Sequence, residues 1–203
     1  MFLRDAGDTE IGGFGITAAD DLLLVEDVRL VAQTCTWVHV AFEDQSVANF
    51  FDDQVDADRR PEQFGRIWVH THPGNSPQPS STDEATFTRV FGRSDWAVMF
   101  ILAQAGQSYA RLRFNVGPGN EVIIPVEIDY NRPFGRTEFD AWHEEYLANV
   151  RVPPPEPVKK TTIKPTDLDD EFVDGWWRDA WSDYMEFESQ QPEEAEYGYI
   201  RDF

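Results

Sequence analysis

Hydrophobic positions along residues 10–130 mostly alternate with polar ones or form short apolar runs, and two stretches show helical spacing instead. Short runs rich in β-branched and aromatic side chains predict β-strands. The predicted strands cover residues 10–17, 21–31, 34–43, 64–72, 96–106, 108–116 and 120–130. The helical spacing predicts helices over residues 45–55 and 82–93, the second ending near Gly92. This order predicts an α/β (α+β) domain, a mixed β-sheet flanked by helices.

Three of the predicted strands carry further information about their place in the sheet. The strand at 64–72 is short and strongly apolar, which is typical of a central strand. Residues 96–106 and 108–116 predict a hairpin with its turn at residues 104–107. Pro125 has no N–H to donate, so the strand at 120–130 is predicted to lie at an edge of the sheet.

The chain changes character after residue 132, where we place the end of the main domain. Residues 133–150 predict a helix that packs on this domain, with Thr137 as its N-cap. Its apolar stripe consists of Phe139, Trp142, His143, Tyr146, Leu147 and Val150. Residues 151–165 contain three consecutive prolines, which favour an extended, semi-rigid linker.

The last segment, residues 166–203, is acidic and rich in Trp, and predicts a helix followed by a loose polar end. Thr166 and Asp169 suit its N-terminus. Its apolar positions are Leu168, Phe172, Val173, Trp176, Trp177, Ala180, Trp181, Tyr184 and Met185. Large aromatics are seldom left in water, so we expect this helix to dock on the domain. The alternative is a partner-binding or self-inhibiting segment tethered by the linker.

The charge of the chain is strongly unbalanced, with 38 acidic and 17 basic residues and a net charge of −21. Binding to the phosphate backbone of a nucleic acid needs clustered Lys and Arg, so a nucleic-acid partner is not expected. The single cysteine, Cys35, excludes an intrachain disulfide and predicts a buried apolar position. The sequence shows neither a secretory leader nor a run of about 18 apolar residues, which predicts a cytoplasmic protein without membrane spans.

The chemistry is concentrated in one stretch, WVHTHPGNSPQPSSTDEATF, residues 68–87. Residues i and i+2 of a strand point to the same face, so His70 and His72 present two imidazoles side by side. Such a pair suits a divalent metal, and Zn²⁺ accepts both His and carboxylate ligands. The loop 73–79 can return the chain so that Asp83, in the first turn of the next helix, supplies a third ligand. Three protein ligands leave a fourth position open, as in catalytic zinc sites.

Each of these features also has an ordinary explanation. Two histidines at this spacing can simply be polar residues near the end of a strand. The SSTDE sequence is a capping box in which Ser81 caps the helix and Glu84 reaches back. In that arrangement Ser80 and Asp83 are left available for another task.

The complete pattern, His-x-His followed by seven residues and then Ser-x-x-Asp, resembles the signature of the JAMM/MPN+ (JAB domain) zinc metalloproteases. That family includes deubiquitinating enzymes and their prokaryotic relatives, and the resemblance covers residues 8–130. It also calls for an upstream glutamate followed by small residues. Among Glu10, Glu26 and Glu43, only Glu10 precedes such residues, in TEIGGFGI.

The resemblance implies a role for each matched residue. His70, His72 and Asp83 hold Zn²⁺, which acidifies a bound water. Glu10 takes the proton of that water and delivers it to the leaving amine. Ser80 hydrogen-bonds the carbonyl or the developing oxyanion. Trp68 and Thr71 are expected to pack the strand, and His39 and His143 to be structural.

The fold implied is JAB/MPN-like, which is cytidine-deaminase-like. A helix commonly precedes the glutamate in this family, but nine residues leave no room for it, and we expect the C-terminal helices to cover the face it would occupy. The function implied is hydrolysis of peptide or isopeptide bonds of a ubiquitin-like protein or its conjugates. Enzymes that activate or conjugate that protein are expected partners. The alternatives are a zinc peptidase or amidase acting on short peptides or metabolites, and a non-catalytic scaffold.

Overall fold

The computed structural model describes residues 1–133 and 135–154 of the chain. Its helices are α1 (Phe2–Asp5), α2 (Asp44–Asp56), α3 (Pro61–Phe64), α4 (Ser81–Phe91) and α5 (Phe139–Asn149). Its strands are β1 (Gly12–Thr17), β2 (Val25–Arg29), β3 (Gln33–Cys35), β4 (Val40–Phe42), β5 (Ile67–His72), β6 (Trp96–Ala103), β7 (Ser108–Phe114), β8 (Asn120–Ile123) and β9 (Val150–Arg151). The predicted linker from residue 155 onward and the predicted Trp-rich helix lie outside the described residues.

The main sheet has six strands in the order β2-β1-β5-β6-β7-β8. Only β5 and β6 run parallel; the other neighbours are antiparallel. The prediction of a mixed sheet flanked by helices is therefore confirmed. So are the central position of β5, the β6–β7 hairpin and the edge position of the last strand of this sheet.

The two faces of this sheet are packed differently. The face that carries Trp68 and His70 lies against α2, α3 and α4, and its core is rich in aromatic rings: Phe14, Phe50, Phe64, Trp68, Phe87 and Phe91. The opposite face carries the smaller cluster of Ile67, Val69 and Val98. A groove of about 790 Å³ lies on this second face, lined partly by residues 124–133. No residue of α5 lines the groove. The expectation that the C-terminal helices cover a face of the domain also involves the Trp-rich helix outside the described residues, and it stays a prediction.

A second, three-stranded sheet has the order β4-β3-β9. The single strand predicted over residues 34–43 is wrong, because the chain reverses between Thr36 and His39. The N–H of Thr36 donates to the carbonyl of His39 at 2.9 Å, which closes the turn. The apolar pattern runs through both strands without a Gly or Pro at the reversal, so it gave no sign of the turn.

The N-terminal and C-terminal helices differ from the predictions. A one-turn helix, α1, does precede Glu10, and its Phe2 ring contacts Phe139 and Trp142 of α5. Helix α5 begins after Glu138 rather than capping at Thr137, and Val150 lies in β9 instead of on the helical stripe. No residue of α5 is buried, and the rings of Phe139, Trp142 and Tyr146 contact the Phe2 ring of α1.

Two further differences concern short elements. Helix α3 was not predicted, and β8 ends at Ile123, before the predicted end at residue 130.

Among residues 1–133 and 135–154, no helix has the length and apolar character needed to cross a membrane.

Candidate metal centre

The side chains of His70, His72 and Asp83 meet at the end of β5, next to the first turn of α4. The Nε2 atoms of the two histidines are 3.2 Å apart. Asp83 Oδ1 lies 3.2 Å from His70 Nε2, and Asp83 Oδ2 lies 3.3 Å from His72 Nε2. The structure therefore brings together the three residues predicted as metal ligands.

These separations fit a metal ion of the size of zinc. With zinc–nitrogen bonds of about 2.0–2.1 Å, the corners of a coordination tetrahedron are about 3.3 Å apart. Two imidazole nitrogens and a carboxylate oxygen are also a donor set that zinc accepts. The cluster could hold a metal ion, and the geometry and the donor atoms both fit zinc.

His72 is oriented by the loop that follows it. Its Nδ1 lies 3.0 Å from the carbonyl oxygen of Ser76, so Nδ1–H donates to that oxygen. The proton on Nδ1 leaves a lone pair on Nε2, directed at His70 and Asp83. Such an outer hydrogen bond is the usual way in which a protein fixes the tautomer of a metal-binding histidine.

His70 is oriented by packing instead. Its ring is fully buried and stacks on the Trp68 indole, with centroids 4.1 Å apart and an angle of 22° between the planes. Within the described part of the chain its Nδ1 atom has no hydrogen-bond partner. Burial lowers the pKa of His70, outweighing the opposite effect of the Asp83 carboxylate. The neutral form, the one that binds metals, is therefore favoured.

Asp83 is held by the residue that caps its helix. The N–H and the hydroxyl of Ser80 donate to Asp83 Oδ2 at 2.8 and 2.9 Å, which leaves Oδ1 directed at His70. Burial acts to raise the pKa of Asp83, but hydrogen bonds from the His70 and His72 rings, which form while those rings carry a proton on Nε2 and no cation is bound, outweigh it and hold the pKa well below its usual range. Asp83 is thus an anionic donor.

The capping arrangement corrects the sequence prediction. The N-cap of α4 is Ser80, whose Oγ accepts from the N–H of Asp83, and Asp83 completes the capping box. The alternative pair, Ser81 and Glu84, does not form it, because the Glu84 carboxylate binds Arg111 on β7 at 2.7 Å. Ser80 and Asp83 therefore form the cap themselves, and the prediction that Ser81 and Glu84 would leave them available is wrong. The oxyanion role of Ser80 stays a prediction.

Glu10 lies beside the cluster, immediately before β1. Its side chain is almost fully buried, and its Oε1 lies 3.7 Å from His72 Nε2. The other two glutamates considered, Glu26 and Glu43, are exposed. Of the three glutamates considered, Glu10 is the one that the structure places beside the proposed metal ligands, and its catalytic role stays a prediction.

The pairing of β1 with β5 brings Glu10 to the histidines. Gly12 lies opposite His70 in this antiparallel pair, so the residues just before Gly12 are adjacent to the end of β5. The N–H of Thr71 donates to the carbonyl of Ile11 at 3.0 Å, and the N–H of Ile11 donates to the Thr71 hydroxyl at 3.2 Å. Thr71 thus joins the two strands, in agreement with the prediction that it packs the strand.

The two remaining histidines lie outside the cluster. His39 is half-buried on the turn between β3 and β4, and burial lowers its pKa against the opposing effect of the Asp83 carboxylate. His143 is exposed on α5, between the rings of Phe139 and Tyr146. Their predicted structural roles stay predictions.

Sequence reasoning missed two groups that support the site. The Ser76 carbonyl orients His72, but any residue carries a carbonyl, so the sequence holds no signal for it. Gln33, on β3, is buried and hydrogen-bonds the backbone of Gly12. Gln33 lies between two predicted strands, 21–31 and 34–43, so the sequence pattern held no signal for it either.

No family model and no curated protein matches this chain. The functional inference therefore rests on the residues of the site and on their geometry.

Proposed function

We propose that this protein is a zinc-dependent hydrolase of peptide or isopeptide bonds, of the JAMM type, with a JAB/MPN-like fold. The observation that carries the proposal is a buried carboxylate, Glu10, next to a His-His-Asp cluster with the separations of a tetrahedral zinc site. Three protein ligands with a neighbouring carboxylate are typical of catalytic zinc centres, whereas structural zinc sites use four protein ligands.

The chemical role of each group follows from its position. A zinc ion held by His70, His72 and Asp83 would polarise the substrate carbonyl and lower the pKa of water. Glu10 accepts the proton of the attacking water and then gives it to the leaving amine, which avoids a covalent intermediate. Its buried position excludes bulk water from this proton transfer.

Ser80 is proposed as the donor to the developing oxyanion. Its hydroxyl donates to Asp83 Oδ2 in the structure, so it must release that oxygen when substrate binds. The N–H of Ser80 also donates to the same oxygen and would keep Asp83 in place during the exchange.

The substrate class is proposed from the motif. The His-x-His and Ser-x-x-Asp pattern resembles that of enzymes whose substrates often end in Gly-Gly, because a narrow groove admits only a chain without side chains. We therefore propose a ubiquitin-like protein, or its conjugates, as the substrate. Enzymes that activate or conjugate this protein would then be functional partners.

Replacing Glu10 tests the mechanism. We expect Glu10→Gln to bind zinc as the wild type does, since Glu10 is not one of the three ligands. Its kcat should fall by about 10²- to 10⁴-fold, because the general base is lost. The probes are a ubiquitin-like protein with aminomethylcoumarin on its C-terminal Gly-Gly and a short Gly-Gly peptide with the same label, and zinc is measured by metal analysis.

The matched control is Glu26→Gln, which alters an exposed glutamate paired with Arg132 and should leave kcat unchanged. Cleavage of the short peptide alone would favour the peptidase alternative. Zinc binding without any cleavage would favour the scaffold. A zinc-free wild type, or normal cleavage by Glu10→Gln, would overturn the proposal.

A further inference from the structure

The side chain of Gln33 takes the place of a missing strand beside the first residue of β1. Its Oε1 accepts from the N–H of Gly12 at 2.8 Å, and its Nε2 donates to the carbonyl of Gly12, also at 2.8 Å. Both backbone polar groups of Gly12 are thus satisfied by one side-chain amide. Gln33 is itself only 2% exposed, so water cannot substitute for it.

This arrangement exists because β2 does not reach Gly12. The ladder between β1 and β2 begins only at the pair of Phe14 and Arg29. After Arg29 the chain leaves the main sheet and enters the second sheet at Gln33. The backbone before Phe14 would therefore lack partners on the β2 side, and the second sheet supplies them.

Alternate residues of the segment 10–12 are held from opposite sides. The N–H of Glu10 donates to the carbonyl of Thr36 at 2.9 Å. The backbone N–H groups of Glu10 and Gly12 therefore both point toward the second sheet. Ile11, between them, faces Thr71 of β5. The segment that carries Glu10 is therefore fixed between the second sheet and the strand that carries the two histidines.

The Gln33 amide is itself held in place. Its Nε2 also donates to the carbonyl of Val31 at 3.0 Å, and the Cys35 thiol donates to its Oε1 at 3.3 Å. Both hydrogens of Nε2 are thus used. Removing this amide would leave the N–H and the carbonyl of Gly12 buried without hydrogen-bond partners. The segment 10–12 could avoid the free-energy cost of these unpaired groups only by moving.

We propose that Gln33 is a positioning residue that sets the location of the Glu10 carboxylate relative to the metal ligands. This inference rests on the proposed function, because it assigns Gln33 a role through the general base of that mechanism. Among the described residues, the hydrogen bonds of Gln33 go to Gly12, Val31 and Cys35 and not to the proposed ligands. Its effect should therefore appear in the proton-transfer step and not in metal binding.

The experiment compares Gln33→Met with Gln63→Met in the full-length protein. Gln63 is another buried glutamine whose amide hydrogen-bonds β1, but at Thr17, the far end of the strand. Both substitutions keep the side-chain length and remove the amide. We expect Gln33→Met to lower kcat on the coumarin-labelled Gly-Gly probes about 10- to 100-fold, with KM and zinc affinity unchanged. Gln63→Met should keep the wild-type kcat.

Two further measurements separate positioning from general loss of structure. In the Glu10→Gln background, Gln33→Met should cost no further activity, because both act through the same carboxylate. Hydrogen exchange at residues 10–13 should accelerate in Gln33→Met, while exchange at residues 67–72 stays slow. If Gln33→Met does not fold, Gln33→Asn, which keeps an uncharged amide but is one methylene too short to bind both groups of Gly12 in the same way, takes its place in every comparison.

The outcomes distinguish the two proposals. An inactive or zinc-free wild type, or a fully active Glu10→Gln, would overturn the proposed function. A wild type that depends on Glu10, together with a Gln33→Met that keeps its kcat, would overturn the role of Gln33 alone. Equal losses in Gln33→Met and Gln63→Met, or a loss of zinc in Gln33→Met, would also overturn it.

Discussion

Gly12 shows how closely the two sheets approach each other beside the site. A Cβ atom at this position would lie 2.8 Å from the Phe42 ring and 3.0 Å from Val40. The Phe42 ring cannot easily move aside, because it packs on Phe14 at a centroid distance of 5.4 Å. The glycine that follows Glu10 in the sequence is therefore required by packing between β1 and the second sheet.

Cys35 gives a prediction about stability at alkaline pH. Burial, and to a smaller extent the Glu10 carboxylate, raises the pKa of the Cys35 thiol from its ordinary value of 9.0 to about 12. The native state therefore keeps this proton between pH 9 and 12, whereas the unfolded chain releases it. The contribution of the thiol to stability is complete below pH 9 and is lost as the pH rises toward 12.

We expect the free energy of unfolding of the wild type to fall more steeply above pH 9 than that of Cys35→Ala, by up to about 1.4 kcal/mol per pH unit. Urea unfolding of the metal-free proteins at several pH values measures this difference. Between pH 6 and 8 the difference between the two proteins should be constant. If the free energies of unfolding of the two proteins fell in parallel above pH 9, the pKa of the Cys35 thiol would not be raised in the native state.

At the scale of elements, α4 is fixed at its N-terminus by two separate sets of contacts. Ser80 and Asp83 form the capping box inside the site. On the outer side, Arg111 of β7 binds Glu84, and the Arg113 guanidinium lies over the Phe87 ring at 4.7 Å. The helix is thus tied through Asp83 to His70 and His72 of β5, and through Glu84 and Phe87 to β7, which fixes the position of Asp83.

The identity of the cap can be tested by two neighbouring substitutions. We expect Ser80→Ala to lower the free energy of unfolding of the metal-free protein by about 1 kcal/mol, because the capping hydrogen bond is lost. Ser81→Ala, at an exposed position, should change it by less than about 0.5 kcal/mol. Urea unfolding with a chelator present measures both. A larger loss of unfolding free energy in Ser81→Ala than in Ser80→Ala would instead support the capping box of Ser81 and Glu84.

At the scale of the whole molecule, the three proposed metal ligands come from two elements, β5 and α4, joined by the loop 73–79. The lone pair of His72 Nε2 points at His70 Nε2 and Asp83, and electron-rich atoms this close repel unless a proton or a cation lies between them. A bound metal would remove this repulsion and link β5 to α4. Metal binding should therefore stabilise the fold as well as supply the chemistry.

We expect zinc at about 100 times its Kd to stabilise the protein by about 2.7 kcal/mol, which raises Tm by roughly 5–10 °C. Thermal unfolding with zinc and with EDTA measures the shift. Asp83→Asn keeps an oxygen for the Ser80 cap but removes the anionic ligand, so it should lose most of the shift. An equal shift in Asp83→Asn would exclude Asp83 as a ligand.

Several features could be predicted from the sequence because they depend on neighbouring residues. The alternation of side chains predicted β1, β5 and the β6–β7 hairpin, and helical spacing predicted α2 and α4. The spacing of His70 and His72 on a strand fixed their common face, and the short loop to α4 limited where Asp83 could lie. Glu10 was chosen from three glutamates by the glycines that follow it.

Only the tertiary structure decided the features that depend on distant residues. The reversal between β3 and β4, the choice of Ser80 over Ser81 as the cap, and the exposure of α5 are not determined by the local pattern of apolar positions. Glu84 binds Arg111 rather than its own helix terminus, and Gln33, which lies 21 residues from Gly12 along the chain, takes the place of the missing strand partner of Gly12. The sequence pattern records which side chains are apolar, but not which polar groups are buried together, and the latter depends on the folded chain.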